Sequence, residues 1–575
     1  MKKLLVYLKG YYKESVLGPL FKLLEASLEL IVPLVVAAII DNGIGAAGGD
    51  RGYIVRMSLV LVALGLVGLI FSVTAQYFAA KASVGFVTRL RSALFKHIQG
   101  FSYQTLDTVG TSTLITRMTS DMNQVQTGLN LALRLLLRSP FVVFGAMIMA
   151  FTVDSKAALW FAVVIPVLCV VVFGIMLISM PLYKKVQGML DKVLGRTREN
   201  LTGVRVIRAF GQEERETQDF CEKNEQLTTM QKHVGRISAL MNPVTYVIIN
   251  LAVLGLIWTG AIRVEAGIIT QGAVVALYNY MSQILVELIK MANLIISITK
   301  AIACGNRISA VMDIPAGEAN DDKKHAQGDE NLRVEMKNVA VRYATGGENS
   351  LTGVNLKVKP GETVGVIGGT GAGKTTLVNL IPRFYTATEG AVLVDGVDVR
   401  DLDCEKLRER VGVVPQKAVL FKGTIRENLL WGNENATEAE LFAAVEAAQA
   451  RDVLKAKGGL EGEVEQGGRN LSGGQKQRLT IARALVKKPD ILILDDSSSA
   501  LDFATDAALR KALRELPGQT TVFIVSQRTS SIQHADQIIV LDDGEVAGVG
   551  THAQLLESCP VYQEIYASQF KKEAE

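Results

Sequence analysis

The sequence predicts two fold classes in one chain. An all-α domain of six membrane-crossing helices comes first, and an α/β domain carrying a P-loop follows. Three observations carry this reading. The first half holds six apolar stretches, each near the roughly 20 residues that a helix needs to cross a bilayer. The second half switches to β-branched runs, Gly-rich turns and amphipathic helices. One of those runs leads directly into a GxxxxGK[ST] motif.

At 575 residues the chain exceeds a single ordinary domain. Its apolar fraction of 49% and mean hydropathy of +0.26 lie between those of soluble and wholly membrane-embedded proteins. A net charge of +4 gives no basic footprint, so a nucleic-acid partner is not expected. Cys169, Cys221, Cys304, Cys404 and Cys559 are widely spaced and form no CxxC pair. They imply neither a disulfide framework nor a zinc site.

The opening MKKLLVYLKGYYKES is interrupted by Lys9 and Lys13 and reads as an amphipathic segment on the membrane surface rather than a signal peptide. The expected spans run from about Leu17 to Ile40, Ile54 to Ala80, Leu129 to Val153, Ala157 to Met180, Val244 to Ile262 and Val274 to Ile298. Lys81, Arg89, Arg91, Lys96 and Arg117 fill the loop between the second and third spans. Lys184, Lys185, Lys192, Arg196, Arg198, Arg205 and Arg208 fill the loop between the fourth and fifth. The positive-inside rule places these loops and both termini in the cytoplasm.

Charges within spans are costly and should face protein or water. Glu25 and Glu29 lie in the first span, and Glu287 and Lys290 form an i, i+3 pair in the sixth. Arg134 and Arg138 are spaced i, i+4 near the start of the third, which puts them on one helix face. Two readings stay open: a polar wall of a substrate cavity, with Glu287 the foremost candidate, or interhelical pairing that fixes packing. The phenylalanines and methionines of the spans read as lipid-facing or packing residues.

The polar run PAGEANDDKKHAQGDEN is a linker by composition. The expected domains are therefore 1–314 (membrane), 315–331 (linker) and 332–575 (nucleotide-binding). In the last, VGVIGG, VGVVPQ, ILILDD and TVFIVSQ read as buried strands of a largely parallel sheet.

The P-loop is Gly368, Gly369, Thr370, Gly371, Ala372, Gly373, Lys374 and Thr375, with Thr376 following. Its glycines let backbone N–H groups close around phosphates. Lys374 would reach the β- and γ-phosphates, and Thr375 would offer its hydroxyl to Mg²⁺. ILILDD, Ile491 to Asp496, is a strand ending in carboxylates, with Asp495 placed to hold the Mg²⁺ shell. ATP and Mg²⁺ are the implied ligands.

Between these motifs lie Leu471, Ser472, Gly473, Gly474 and Gln475, an LSGGQ sequence. With it the chain resembles the ATP-binding-cassette (ABC) superfamily, whose signature this is. Tyr343 matches the aromatic that stacks on adenine. Gln416, in VVPQ, matches the loop glutamine that contacts Mg²⁺ and the membrane domain, and Asp502, in SALD, matches the D-loop. GTSTLITRMTSDM, TGVRVIRAFGQEE and the segment from Gly267 to Met281 extend the likeness to half-size exporters of the superfamily. The resemblance implies a dimer that sandwiches ATP between the P-loop of one cassette and the LSGGQ of the other. It also implies a multi-pass protein of a bacterial cell membrane. No peptidase-like segment precedes the first span, so peptide-maturation export is not expected.

Two positions depart from the family pattern. Asp496 stands where the family has Glu, and Gln527 where it has His. Asp is shorter by one methylene, roughly 1.5 Å of reach by ordinary bond geometry. A general base must lie within hydrogen-bond distance of its proton, and Gln cannot titrate as His does. The chain's own ATP site is therefore expected to be degenerate, while its intact LSGGQ serves a partner. This implies a heterodimer with a second half-transporter that carries Glu and His, and resembles bacterial heterodimeric multidrug-type exporters. The expected cargo is an amphipathic compound, a drug or a membrane lipid. A competing expectation is an ATP-gated channel or regulatory half-transporter.

Overall fold

The structure is a computed structural model that describes residues 2–45, 49–317, 327–343, 347–515 and 518–570. The chain divides into two compact units, Met1–Gln99 with Ser112–Pro315, and Gly100–Thr111 with Ala316–Glu575. The expected linker, 315–331, falls partly on residues 318–326, which lie outside the described residues.

The first unit is all helical. Among the described residues, six helices are long and apolar enough to cross a membrane: Tyr12–Ile44, Arg51–Gln99, Thr111–Val153, Leu159–Thr202, Glu213–Glu265 and Gln271–Met312. They cover the six stretches expected from the sequence, except that the fourth begins at Leu159 rather than Ala157, and most run well past them. The second, at 49 residues, extends roughly 74 Å at about 1.5 Å per residue, against a hydrocarbon core of about 30 Å. Before them, Lys2–Leu8 forms a 3₁₀ helix with Leu4 buried and Leu5 and Val6 exposed.

The third span is not one continuous helix. It is broken by a turn at Leu136–Leu137, after which a new helix runs from Arg138 to Val153. Pro140 accounts for the break: it lacks an N–H, and its ring crowds the carbonyl four residues earlier, that of Leu136. The backbone stays in the right-handed helical region through the turn, with Leu136 at φ −60°, ψ −40° and Leu137 at φ −90°, ψ −34°, so only the hydrogen-bonding pattern lapses there.

In the second unit, β-branched runs buried on both faces make a six-stranded sheet. Its order is Glu545–Gly550, Gln537–Asp542, Thr363–Gly368, Thr521–Val525, Ile491–Asp495 and Val411–Val414. All neighbours are parallel except the first pair. The burial of Val364, Val366, Ile493, Phe523 and Val525 shows why these runs read as continuous apolar strands. A smaller antiparallel sheet, built on Val334–Val341 between Leu351–Val358 and Glu389–Val394, packs into the same core.

Residues Gly100–Thr111, read from the sequence as part of the membrane domain, cluster with the second unit. The reason is local. They form a short helix, Tyr103–Val109, capped by Ser102. Tyr103 stacks on Phe384 at 4.3 Å between ring centroids, and Tyr385 donates its phenolic hydrogen to Asp107 at 2.6 Å.

Candidate functional site

Parallel strands deliver their C-terminal ends to one edge of the sheet, where ligands of α/β folds bind. Here the strands Thr363–Gly368, Thr521–Val525, Ile491–Asp495 and Val411–Val414 lie side by side. Val525 is in register with both Val366 and Asp495. The loops leaving these ends carry the P-loop, Gln527, Asp495 with Asp496, and Gln416. Residues spread from 368 to 527 are thus gathered by topology alone.

The P-loop fits a phosphate chain. Gly371 and Gly373 have φ of +88° and +89°, which L side chains rarely adopt. A Cβ on Gly368 would come within 2.1 Å of the Leu541 carbonyl oxygen, and one on Gly373 within 2.7 Å of the Ser350 oxygen. Gly369 and Gly371 face open space on the other side. The loop is therefore packed against protein behind and free in front. Ala372 and Thr376 are buried beneath it, and Thr370 lies exposed at its tip.

Lys374 places its ammonium over the loop, donating to the carbonyls of Gly368 at 2.9 Å and Gly369 at 2.5 Å. Burial lowers its pKa, and the neighbouring Asp496 and Asp495 oppose that shift. Thr375 donates its hydroxyl to Asp495 at 3.0 Å. Burial raises the Asp495 pKa, the Thr375 hydrogen bond works against this, and the Asp496 charge adds to it. A dication would relieve that penalty. One carboxylate, one hydroxyl and phosphate oxygens are a donor set that suits Mg²⁺, which keeps several waters and takes few protein ligands. Thr375 and Asp495 would hold it, with Gln416 nearby.

Asp496 sits in the left-handed region at φ +45°, and its carboxylate accepts from Gln416 Nε2 at 3.3 Å. The two loops that flank the expected metal position are thus linked through the short side chain. The Gln527 side chain is exposed. Its carbonyl accepts from Gln569 Nε2 at 2.7 Å, while Gln569 Oε1 accepts from the Thr529 N–H and hydroxyl, both at 2.9 Å. A glutamine on the C-terminal helix Pro560–Phe570 therefore ties down this loop. Nothing in the sequence around Gln569 marks it.

Tyr343, the expected adenine platform, bonds through its hydroxyl to Thr376 Oγ1 at 2.9 Å and meets the ring of Tyr385 edge-on at 5.1 Å. Tyr385 belongs to no motif and was not legible as a site residue. Burial pushes up its pKa, with the Asp107 hydrogen bond adding to the effect.

The signature turn opens a helix of its own, Gly473–Val486. Ser472 is its N-cap: the hydroxyl accepts from the Gln475 N–H, and Gln475 Oε1 accepts from the Ser472 N–H at 2.9 Å. This capping box fixes the turn and is worth about 1 kcal/mol. Leu471 is buried beneath it. A Cβ on Gly473 would meet nothing within 4 Å, whereas one on Gly474 would lie 2.9 Å from the Ala500 oxygen. Gly473 thus presents bare backbone outward at a helix N-terminus, where anions are favoured. Asp502 caps the helix Phe503–Arg514 by accepting from the Thr505 N–H at 3.2 Å.

In the membrane unit, Glu287 is buried and fully engaged. Arg138 donates to it at 2.6 Å, Ser139 at 2.9 Å and Lys290 at 2.9 Å. Arg138 also donates to Glu29 at 2.6 Å. The chain Glu29–Arg138–Glu287–Lys290 thereby pins the first, third and sixth spans together. Removing one partner would leave an uncompensated buried charge, at a typical cost of about 3–5 kcal/mol. Arg134 takes no part in these pairs.

A P-loop ATPase whose signature turn stands ready for a second nucleotide, on the same chain as six membrane-length helices, defines a transporter powered by ATP hydrolysis. Comparison with known proteins narrows the class. The ABC transporter transmembrane region matches residues 15–288, and the ABC transporter domain matches residues 351–499. The chain is 37% identical over 571 residues to the uncharacterized ABC transporter ATP-binding protein Mb1304c of Mycobacterium bovis, covering 98% of this chain and 97% of that one. It is 30% identical over 556 residues to an ATP-dependent lipid A-core flippase of Desulfotalea psychrophila, covering 94% and 97%. It superposes with a TM-score of 0.81 on the structure of a bacterial Atm1-family ABC exporter with ATP bound, at 25% identity and 98% and 99% coverage. The chain belongs to the ABC transporter family, as a half-size exporter with an N-terminal membrane domain and a C-terminal ATPase domain.

Proposed function

We propose that this chain is one half of a heterodimeric exporter of amphipathic compounds, in which its own ATP site binds nucleotide but turns it over slowly or not at all. The observation that carries the reading is the contrast at positions 496 and 527. Asp496 is too short for the family's base and is bonded to Gln416, and the Gln527 side chain cannot titrate. The P-loop and the signature turn are meanwhile complete, so nucleotide and Mg²⁺ still have their ligands. The second half-transporter would supply Glu and His in its own site, and this chain's LSGGQ would close that site. The relative named as a lipid A-core flippase supports an amphipathic cargo.

The test is steady-state ATPase of the purified chain, alone and in its native complex. The chain alone should be nearly inactive, yet azido-ATP should photolabel it under non-hydrolytic conditions. Brisk turnover by a verified homodimer would sink the reading.

Both termini and the long loops are proposed to be cytoplasmic, on the distribution of Lys and Arg. With the native cysteines replaced, a cysteine at Ala266 should react with an impermeant thiol reagent in intact cells, and one at Thr111 should not. The reverse labelling would invert the topology.

A further inference from the structure

Arg138 is 6% exposed and inside a bundle of membrane-length helices, yet it is part of something larger than an ion pair. Two cavities meet beside it. One, of about 460 Å³, is lined by Glu29, Asn279, Ser282, Gln283, Glu287 and Lys290 on its polar side. The other, of about 630 Å³, is lined by Leu28, Leu61, Leu64 and Leu69, with Arg138 at its edge. Glu29 and Val32 belong to the walls of both. Two cavities therefore share one boundary, the first with the larger share of polar lining and the second with the larger share of apolar lining.

The polar groups there are not all satisfied. Gln283 Oε1, an acceptor, and Arg138 Nε, a donor, are buried without a partner among the described residues. Lys290 remains 45% exposed after its bond to Glu287, and Glu29 remains 40% exposed after its bond to Arg138. Interhelical pairing explains the bonds of Arg138 but not these leftover groups. Three carboxylates, Glu25, Glu29 and Glu287, stand against Arg138, Lys290 and Lys22, the last paired with Glu25 at 2.5 Å, and the six sum to zero formal charge. A ligand with net charge would add an unbalanced charge to a poorly solvated site, whereas a ligand with separated, cancelling charges would not.

We propose that the two cavities hold an amphiphile with a zwitterionic headgroup. Its cationic N–H donor lies on Glu29 and Gln283, its anionic group lies on Lys290 and Arg138 Nε, and its chains lie along Val32, Leu61, Leu64 and Leu69. This rests on the reading of the protein as an exporter of amphipathic compounds and names the headgroup chemistry that the reading left open.

The test is equilibrium binding to the full-length chain in its native complex, purified in detergent. Four probes are compared. Three carry the same two hexanoyl chains: dihexanoyl phosphatidylethanolamine, dihexanoyl phosphatidylglycerol and a dihexanoyl lipid with a primary ammonium and no phosphate. The fourth, phosphoethanolamine, carries none. The zwitterionic lipid should bind at least about tenfold more tightly than the anionic lipid, the cationic lipid or the free headgroup, the scale of one charge-assisted hydrogen bond. Lys290→Gln leaves both Arg138 pairs intact and should erase the preference over the cationic lipid. Glu29→Gln should erase the preference over the anionic lipid. Arg138→Gln strands two carboxylates and is unsuited to the test. Equal binding of the three lipids, binding of phosphoethanolamine as tight as that of its lipid, or an unchanged preference in Lys290→Gln would overturn this proposal alone. Failure of all three lipids to bind would overturn the amphiphile reading beneath it.

Discussion

The cassette has two nucleotide-facing surfaces, and they differ in how far they keep the family pattern. On the P-loop face, every group that binds phosphate is in place, but Asp496 and Gln527 stand where the water-activating residues belong. On the signature face nothing is altered: Ser472 caps its helix, Gln475 closes the capping box, and Gly473 shows bare backbone. On the proposed reading, binding and closure are preserved on both faces and chemistry is weakened on one. In a sandwich dimer the two faces belong to different ATP sites. Damage to the signature face should then cost more than damage to Asp496.

The largest effect is expected from Gly473→Glu. The position has room for the side chain, so the fold should survive, but a carboxylate would stand where backbone must approach a phosphate. ATPase of the assembled complex should fall by about a hundredfold or more, the low end of what general base catalysis supplies. Lys374→Ala should come next. It removes the ammonium that lies across Gly368 and Gly369, so photolabelling of this chain should disappear. Complex turnover should nevertheless fall less than in Gly473→Glu. The smallest effect is expected from Asp496→Asn, less than about threefold on complex ATPase, well below the catalytic range. Equal damage from Asp496→Asn and Gly473→Glu would erase the contrast between the faces.

How much of this was legible in the sequence depended on the range of the interactions. The P-loop, the ILILDD strand and LSGGQ are each contiguous, and their chemistry is local, so residues 368–376, Asp495 and 471–475 could be picked out as nucleotide-facing groups. The six spans were legible from hydropathy, but their true lengths were not, because the helix extensions beyond the apolar stretches are polar. Arg138 and Glu287 were visible as costly charges, yet their pairing across 149 positions was not. The spacing of Arg134 and Arg138 could not tell which of the two takes carboxylate partners, and only Arg138 bonds to Glu29 and Glu287. Gly100–Thr111 joined the second unit through Tyr103 and Asp107, whose partners Phe384 and Tyr385 lie in no motif. Gln569 holds the Gln527 loop through a contact 42 positions away that no pattern announces.

The central claim is that Asp496 and Gln527 are what silence this chain's own ATP site. The most direct measurement is steady-state ATPase of the purified homodimer carrying Asp496→Glu and Gln527→His together. The account predicts a rise of at least about tenfold over the unmodified homodimer, toward the 10²–10⁴ that a positioned base supplies. An unmodified homodimer that already turns over briskly, with no gain from the two replacements, would contradict it.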